Sequence, residues 1–384
     1  MKKYLDNVFE HKGVRASMDP IHEKIKVLAI VPGDPHVVDG GISKLLIYFS
    51  RMLGEQFPNV DLTIQPTRLF QTAPWNHIST PLCVLQFILN LAFGRYDVAH
   101  IHVAPRGSTF RKILFFHVAR LFGLKIVLHL HGSGYDVFFE RQFPYVQNII
   151  KKFFRSADAI IVLGQYWQKF MLEKIGAPHD IVVKIDNGVP DQGLLATRAG
   201  APPSLIFLGA VGYRKGVDVL IDALANLLDL EWKVVICGGG NLEKYRRMAT
   251  AAGIESNRII FTGLQSEEQV NQRLLNADIF ILPSRAENQP VAILEAMSFG
   301  LPVISTKIGD IPGLVKDGFT GRVVEPSDVD GLADAIRSLL EDSDLREKMG
   351  QRGLARFKAK YSIAQNVKHT VKLYYRLRKN RINT

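Results

Sequence analysis

Cysteine is nearly absent from this sequence. Its two copies, Cys83 and Cys237, stand far apart and carry no partner motif. That excludes a disulfide framework and a cysteine-built zinc site, and it suits a reducing cytosol. Long apolar runs are lacking as well. The longest, "VLQFILNLAF" (84–93), is too short to span a bilayer. The stretch "MKKYLDNVFEHKGVRASMDP" (1–20) has no apolar core, so no secretory leader is expected there. Neither a G-x-G-x-x-G fingerprint nor a G-K-[ST] phosphate loop follows the first strand, which argues against a nicotinamide-dependent dehydrogenase. No D-x-D pair falls in a suitable turn, and no His/Asp group has metal-ligand spacing. The expectation is therefore no metal and no cofactor.

What is present describes an ordered globular protein: 47 % apolar and 22 % charged residues in a chain of 384, long enough for two cores. The net charge of +11 is uneven. Residues 1–200 carry 23 Lys and Arg against 16 Asp and Glu, residues 201–350 carry 15 against 21, and the last 34 carry ten basic side chains and no acidic one. A basic front half facing an acidic second half points to an anionic partner at the front.

Short β-branched runs recur, each closed by Gly, Pro or a polar turn: "KVLAIVPG" (26–33), "DVAHIHVA" (97–104), "KIVLHLHG" (125–132), "DAIIVLG" (158–164). After the small-residue linker "TRAGAPPS" (197–204) the series restarts with "LIFLGA" (205–210), "KVVICGGG" (233–240), "RIIFTG" (258–263) and "DIFILPS" (278–284). Amphipathic segments lie between them. Apolar strands alternating with helices indicate buried parallel sheets. The fold class is α/β, with two doubly wound Rossmann-like domains facing across a cleft. The expected layout is an extension over 1–20, a first domain over 21–195 and a second over 200–360. Residues 361–384 read either as a basic helix crossing back to the first domain or as a solvated terminal helix.

Ligands of such sheets sit beyond the carboxyl ends of the strands, so the strand-to-helix turns are informative. Gly40 and Gly41 precede an amphipathic segment and let backbone N–H groups approach an anion, or simply form a tight turn. His131 ends a strand and is followed by Gly132 and Gly134, which leave room beside the imidazole. Arg214 and Lys215 stand at a helix start, where cations oppose the helix dipole unless an anion joins them. In "SRAENQPVAILEAMSFG" (284–300), Glu287 lies in a turn and Pro290 fits the first turn of a helix. Val291, Leu294 and Met297 form an inward stripe, and Glu295 sits among apolar neighbours, where a carboxylate needs a partner.

The stretch 282–328 resembles the second-domain signature of the retaining glycosyltransferases of family 4, which have the GT-B fold. Their E-x7-E pair falls on Glu287 and Glu295. The Gly40–Gly41 turn, "HLHG" (129–132), "DNGVP" (186–190), "LGAVGYRKG" (208–216) and "CGGG" (237–240) follow in the family's order. The resemblance implies that Lys215 contacts a donor diphosphate, that Glu287 and His131 stand beside the donor sugar, and that Glu295 takes the ribose hydroxyls. It further implies that backbone around Gly263 and Leu264 holds the base and that Gly41 closes over the phosphates. Two departures matter. Ala210 stands where the family often has a phosphate-binding arginine, which Arg214 could replace. Asn288 and Gln289, beside Pro290, follow the first glutamate where a glycine is common, so the donor sugar is not carried over.

Glycosyl transfer needs charge stabilisation on a leaving diphosphate and positioning of an oxocarbenium-like centre. A lysine and a carboxylate serve those needs without a metal. The expected partners are a nucleotide-sugar donor, UDP-sugar ahead of GDP-mannose, and a saccharide or lipid-linked saccharide acceptor. The segment "FRKILFFHVARLFGLK" (110–125) mixes Arg111, Lys112, Arg120 and Lys125 with apolar residues, as in segments lying on anionic membrane or in an ordinary packed helix. It lacks the exposed interleaved aromatics of a nucleic-acid surface. The expected place is the cytoplasm, either free or peripheral on the inner face of the cell membrane. The competing reading is a non-catalytic, basic membrane-surface protein with a nucleotide-binding fold.

Overall fold

The computed structural model of the chain describes residues 23–34, 40–68, 75–196 and 202–382. The extension expected at 1–20 and linker residues 197–201 lie outside the described residues.

Six parallel strands form a first sheet: β1 (Ile25–Val31), β2 (Val60–Pro66), β3 (Val98–Val103), β4 (Lys125–Leu130), β5 (Ala159–Val162) and β6 (Val182–Lys184). Their order is β2-β1-β3-β4-β5-β6. Every residue of β3 and β5 is buried, which is why these strands read as continuous apolar runs rather than alternating ones. The helices α1 (Gly41–Gln56), α2 (Trp75–Gly94), α3 (Gly107–Leu121), α4 (Tyr135–Glu140), α5 (Pro144–Arg155) and α6 (Gly164–Phe170) connect them.

A second parallel sheet contains β7 (Ser204–Leu208), β8 (Lys233–Cys237), β9 (Ile259–Gly263), β10 (Ile279–Leu282), β11 (Val303–Thr306) and β12 (Gly321–Val324), ordered β12-β11-β10-β7-β8-β9. Its helices are α7 (Val217–Ala225), α8 (Leu242–Ala251), α9 (Glu267–Leu275), α10 (Val291–Ser298), α11 (Ile311–Leu314), α12 (Val329–Glu341) and α13 (Ser343–Lys360). Local chemistry fixes several starts. Ser266 and Gln269 close a reciprocal capping box on α9, and Asp328 and Asp342 accept from backbone N–H groups at the starts of α12 and α13. In both sheets the chain begins near the centre and winds outward in two directions. That places the ligand-accepting crevices at the ends of β1/β3 and β7/β10.

The last helix, α14 (Ile363–Ile382), returns to the first sheet. Its apolar stripe (Val367, Val371, Tyr374, Leu377) is buried, and it lies against α1, β3 and β4. Tyr375 donates to Glu23 O at 3.0 Å, and Arg378 reaches Lys24 O and Asp97. Two local expectations change. Pro290 precedes α10 in an extended conformation instead of opening its first turn. Residues 293–298 of α10 are all buried, because the helix is packed between its sheet and α13 and has no solvent face. The amphipathic reading of 110–125 also divides. Lys112 is fully buried, Arg120 and Lys125 both pair with Asp158, and the exposed part mixes Phe110, Leu114, Leu121 and Phe122 with His117 and Arg120. The outer face of α2 continues it with Leu82, Leu85, Leu89 and Phe93. No described helix is long and apolar enough to cross a membrane.

Candidate active site

A cleft of about 710 Å³ opens between the carboxyl ends of the two sheets. The first sheet contributes Gly41, Lys44 and His131. The second contributes Arg214, Lys215, Leu264, Glu287, Asn288, Gln289, Pro290 and Glu295. Of the residues expected there from the sequence, Gly263 alone does not line it. Its carbonyl instead accepts from Gly238 N at 2.9 Å, and Leu264 beside it projects outward, 71 % exposed.

Lys215 ends a single helical turn, Tyr213–Lys215, between β7 and α7. The next residue has φ +71, and a Cβ there would lie 1.9 Å from Pro283 O, so only glycine lets this turn press on the end of β10. The close approach brings the Lys215 ammonium onto Glu287 Oε1. Ser284 Oγ donates to the same oxygen at 3.2 Å, and Arg214 Nη1 stands 3.7 Å from it. Glu287 is thus a largely buried carboxylate between two cations in the wall of the cleft. Arg285, which the sequence reading passed over, fixes this turn from behind through a bidentate pair with Asp218, with its guanidinium 3.9 Å from the centre of the Tyr213 ring.

Glu295 is buried in α10 and has its partner in the protein. Its Oε1 meets the Lys44 ammonium and accepts from Tyr48 Oη at 3.2 Å. Both come from α1, so the contact bridges the two sheets. Burial first, and the Glu295 charge second, push the Tyr48 phenol far above its usual range. Sequence reasoning missed Lys44 and Tyr48. The signal for Lys44 was the one used for Lys215, a cation in the first turn of a helix after a glycine turn.

Gln289 ties the two halves together beneath the cleft. Its amide donates to Asp186 Oδ1 (2.9 Å) and Asp310 Oδ2 (3.1 Å), while Asn187 donates to the Gln289 backbone carbonyl at 3.0 Å. Asn288 Oδ1 is buried without a hydrogen-bond partner beside the cleft. Asp310 is packed against Gly164 of the first half, and burial raises its carboxyl above the usual range.

His131 belongs to a stack of four imidazoles. Alternate positions of β3 carry His100 and His102, and "HLH" (129–131) carries the other two at the end of β4. His102 Nδ1 lies 2.8 Å from His131 Nε2. His129 Nδ1 lies 3.1 Å from His100 Nε2, whose Nδ1 meets Tyr374 Oη at 2.6 Å. The Nε2 atoms of His102 and His129 are buried without partners. A buried lone pair is less costly to leave unmet than a buried N–H, so both rings carry their proton on Nδ1. His102 then donates to His131, which keeps its own proton on Nδ1. Burial pushes His131 down to about 3, so the imidazole is neutral. One ring nitrogen of each of His100, His102 and His129 lies within 4.8 Å of the others, a grouping that sequence spacing did not reveal. The Nδ1 of each already has a partner, Tyr374 Oη for His100 and a neighbouring imidazole for His102 and His129.

Comparison with known proteins yields two adjoining family matches: Glycosyltransferase Family 4 over residues 30–192 and Glycosyl transferases group 1 over residues 197–356. The alpha-D-kanosaminyltransferase of Streptomyces kanamyceticus is 28 % identical over 69 % of this chain and 74 % of its own length. A GDP-mannose-dependent alpha-(1-6)-phosphatidylinositol monomannoside mannosyltransferase of Mycobacterium tuberculosis is also 28 % identical, over 61 % of this chain and 66 % of its own. Among solved structures, Anabaena HepE in complex with UDP-glucose superposes with a TM-score of 0.71. It covers 91 % of this chain and 99 % of its own at 18 % identity.

Proposed function

Since the chain belongs to the glycosyltransferases of family 4, we propose that it moves a sugar, with retention of configuration, from a UDP-sugar to a hydroxyl of a lipid-linked saccharide. The observation that carries the reading is Glu287 held between Lys215 and Arg214 in the wall of the cleft, with Glu295 on the adjoining helix. A diphosphate entering there meets two cations and needs no metal to neutralise it. In the transfer, the bond from the anomeric carbon to the diphosphate oxygen breaks and a bond to the acceptor oxygen forms. The acceptor proton leaves with the diphosphate. Glu287 stands where positive charge gathers on the sugar. Neutral His131 offers an Nδ1–H to a sugar hydroxyl, and it is not a base at ordinary pH. Glu295 takes the ribose hydroxyls, Gly41 the phosphates, and backbone at Leu264, which lines the cleft where Gly263 does not, the base.

The UDP preference rests on the UDP-glucose of HepE and remains against GDP-mannose, the donor named for the mycobacterial relative. The lipid-linked acceptor, and a resting place on the inner face of the membrane, are supported by the exposed apolar side chains of α2 and α3.

Thermal unfolding with free and sugar-linked UDP, GDP and ADP tests the donor. A ligand of the folded state raises the midpoint by mass action. One nucleotide class is expected to do so, with the rise lost in Lys215→Gln. No rise with any of them would sink the reading. Glu287→Gln should lower transfer about 10²–10³-fold. If it lowers transfer while leaving vesicle binding intact, the non-catalytic surface-binding reading fails too.

A further inference from the structure

Three cations gather at the carboxyl ends of the first sheet, with no carboxylate paired to them among the described residues. Arg68 lies two residues beyond β2, and Arg111 and Lys112 lie in the first two turns of α3. Lys112 is fully buried, and its ammonium donates to Thr67 Oγ1 at 3.0 Å. The Nε atoms of Arg68 and Arg111 and the hydroxyl of Ser108 are shut away from solvent with no hydrogen-bond partner. None of the three cations is ion-paired among the described residues.

The fold explains the meeting. Thr67 Oγ1 donates to Val31 O at the end of β1, and Thr109 Oγ1 donates to Ala104 O just past β3. The cluster therefore lies at the point where the β2-β1-β3 order reverses direction, the crevice in which doubly wound sheets accept ligands. Pro105, three residues before Ser108 in the chain, lines the cleft. The α3 N-terminus adds to the charge. It holds no acidic residue in its first turn and no side-chain cap, so nothing on the helix offsets its positive end.

Such an arrangement is costly as it stands. Burial, and then the charges of Arg111 and Arg68, push Lys112 well below its usual range. Arg111 is lowered by burial and then by Arg68. Like charges crowded into a low-dielectric site with unmet donors call for an anion.

We infer that Arg68, Ser108, Arg111 and Lys112 form a subsite for a phosphate or diphosphate group carried by the acceptor. This rests on the proposed function in taking the first half as the acceptor side. It narrows the acceptor class to phosphorylated saccharides. The two guanidinium forks suit the several oxygens of a phosphate, while Lys112 supplies a point charge from below.

The test uses inorganic diphosphate and UDP as probes, with binding read by calorimetry and thermal unfolding. The proteins are wild type, Arg68→Gln/Arg111→Gln and Lys215→Gln. Diphosphate should bind wild type and Lys215→Gln, and at least tenfold more weakly the double variant. The UDP response should survive in the double variant and vanish in Lys215→Gln. Diphosphate binding that is unchanged in the double variant, or lost only with Lys215→Gln, overturns the subsite. Loss of every UDP response with diphosphate binding intact would sink the proposed function and leave the anion site standing. Phosphatidylcholine vesicles with and without phosphatidylglycerol separate the two sources of phosphate. If the double variant loses only the phosphatidylglycerol-dependent binding while inorganic diphosphate never binds, the occupant is a lipid headgroup and the acceptor assignment fails. Removing uncompensated cations should not lower the midpoint of the free protein. If the double variant nonetheless fails to fold, Arg111→Lys, which keeps the charge and loses the fork, carries the same comparison.

Discussion

Single atoms set the positions of the charged groups in the cleft. Gly216→Ala would drive a Cβ into Pro283 O from a left-handed backbone, at a cost of about 1–2 kcal/mol for the conformation and more for the clash. Lys215 is its neighbour, so the loss of stability should come with a weaker nucleotide response. Urea unfolding and a nucleotide titration on the same variant check both; unchanged stability would mean that the turn has room the structure does not give it. Some of this was legible in the sequence. That Glu287 and Lys215 share one site was legible because each lies in a strand-to-helix turn, and such turns converge at one edge of a doubly wound sheet; their direct pairing was not read from the sequence. The Glu295 contact with Lys44 and Tyr48 could not. It depends on how the two sheets dock, and no local pattern encodes that.

At the level of elements, β3 and β4 bring four imidazoles into one stack. The two H-x-H patterns were visible, but that they pair across a sheet is a matter of register: His102 lies directly opposite His129. Burial holds His100 and His131 down to about 3, and His102 and His129 well below 6.5. In the unfolded chain all four take up protons near pH 6.5. The unfolded state therefore binds more protons below that pH, and stability, full above it, falls as the medium is acidified. Each histidine contributes up to about 1.4 kcal/mol per pH unit to that fall. The urea midpoint should be flat near pH 8 and drop steadily between about pH 6.5 and 5. A midpoint constant over that range would show that the stack admits protons without unfolding. The α3 helix teaches the opposite lesson. Its apolar and basic pattern suggested a membrane-facing strip, yet Lys112 points inward, because a helix wheel cannot tell a solvent face from a buried polar pocket.

Across the whole molecule, the alternation of strands and helices sufficed to read two doubly wound domains. It did not reveal which partner the final helix would choose. α14 leaves α13 of the second half and closes the first sheet, where Tyr374 Oη meets His100 and Asn366 donates to Asp186 O at 2.8 Å. A chain cut after Tyr361 should leave Leu46, Phe49 and the histidine stack uncovered. Such a truncation is expected to bind a hydrophobic dye and to lose the cooperative unfolding of the first half. Retained cooperativity would show that the first sheet needs no cover.

This same crossing sets the order of events on the ribosome. A nascent chain usually folds its leading domain first, while the rest is still being made. Here the leading sheet waits for residues 363–382, synthesised after the whole second domain. The second domain is thus the first unit able to finish, and the half made earliest is the last to be sealed.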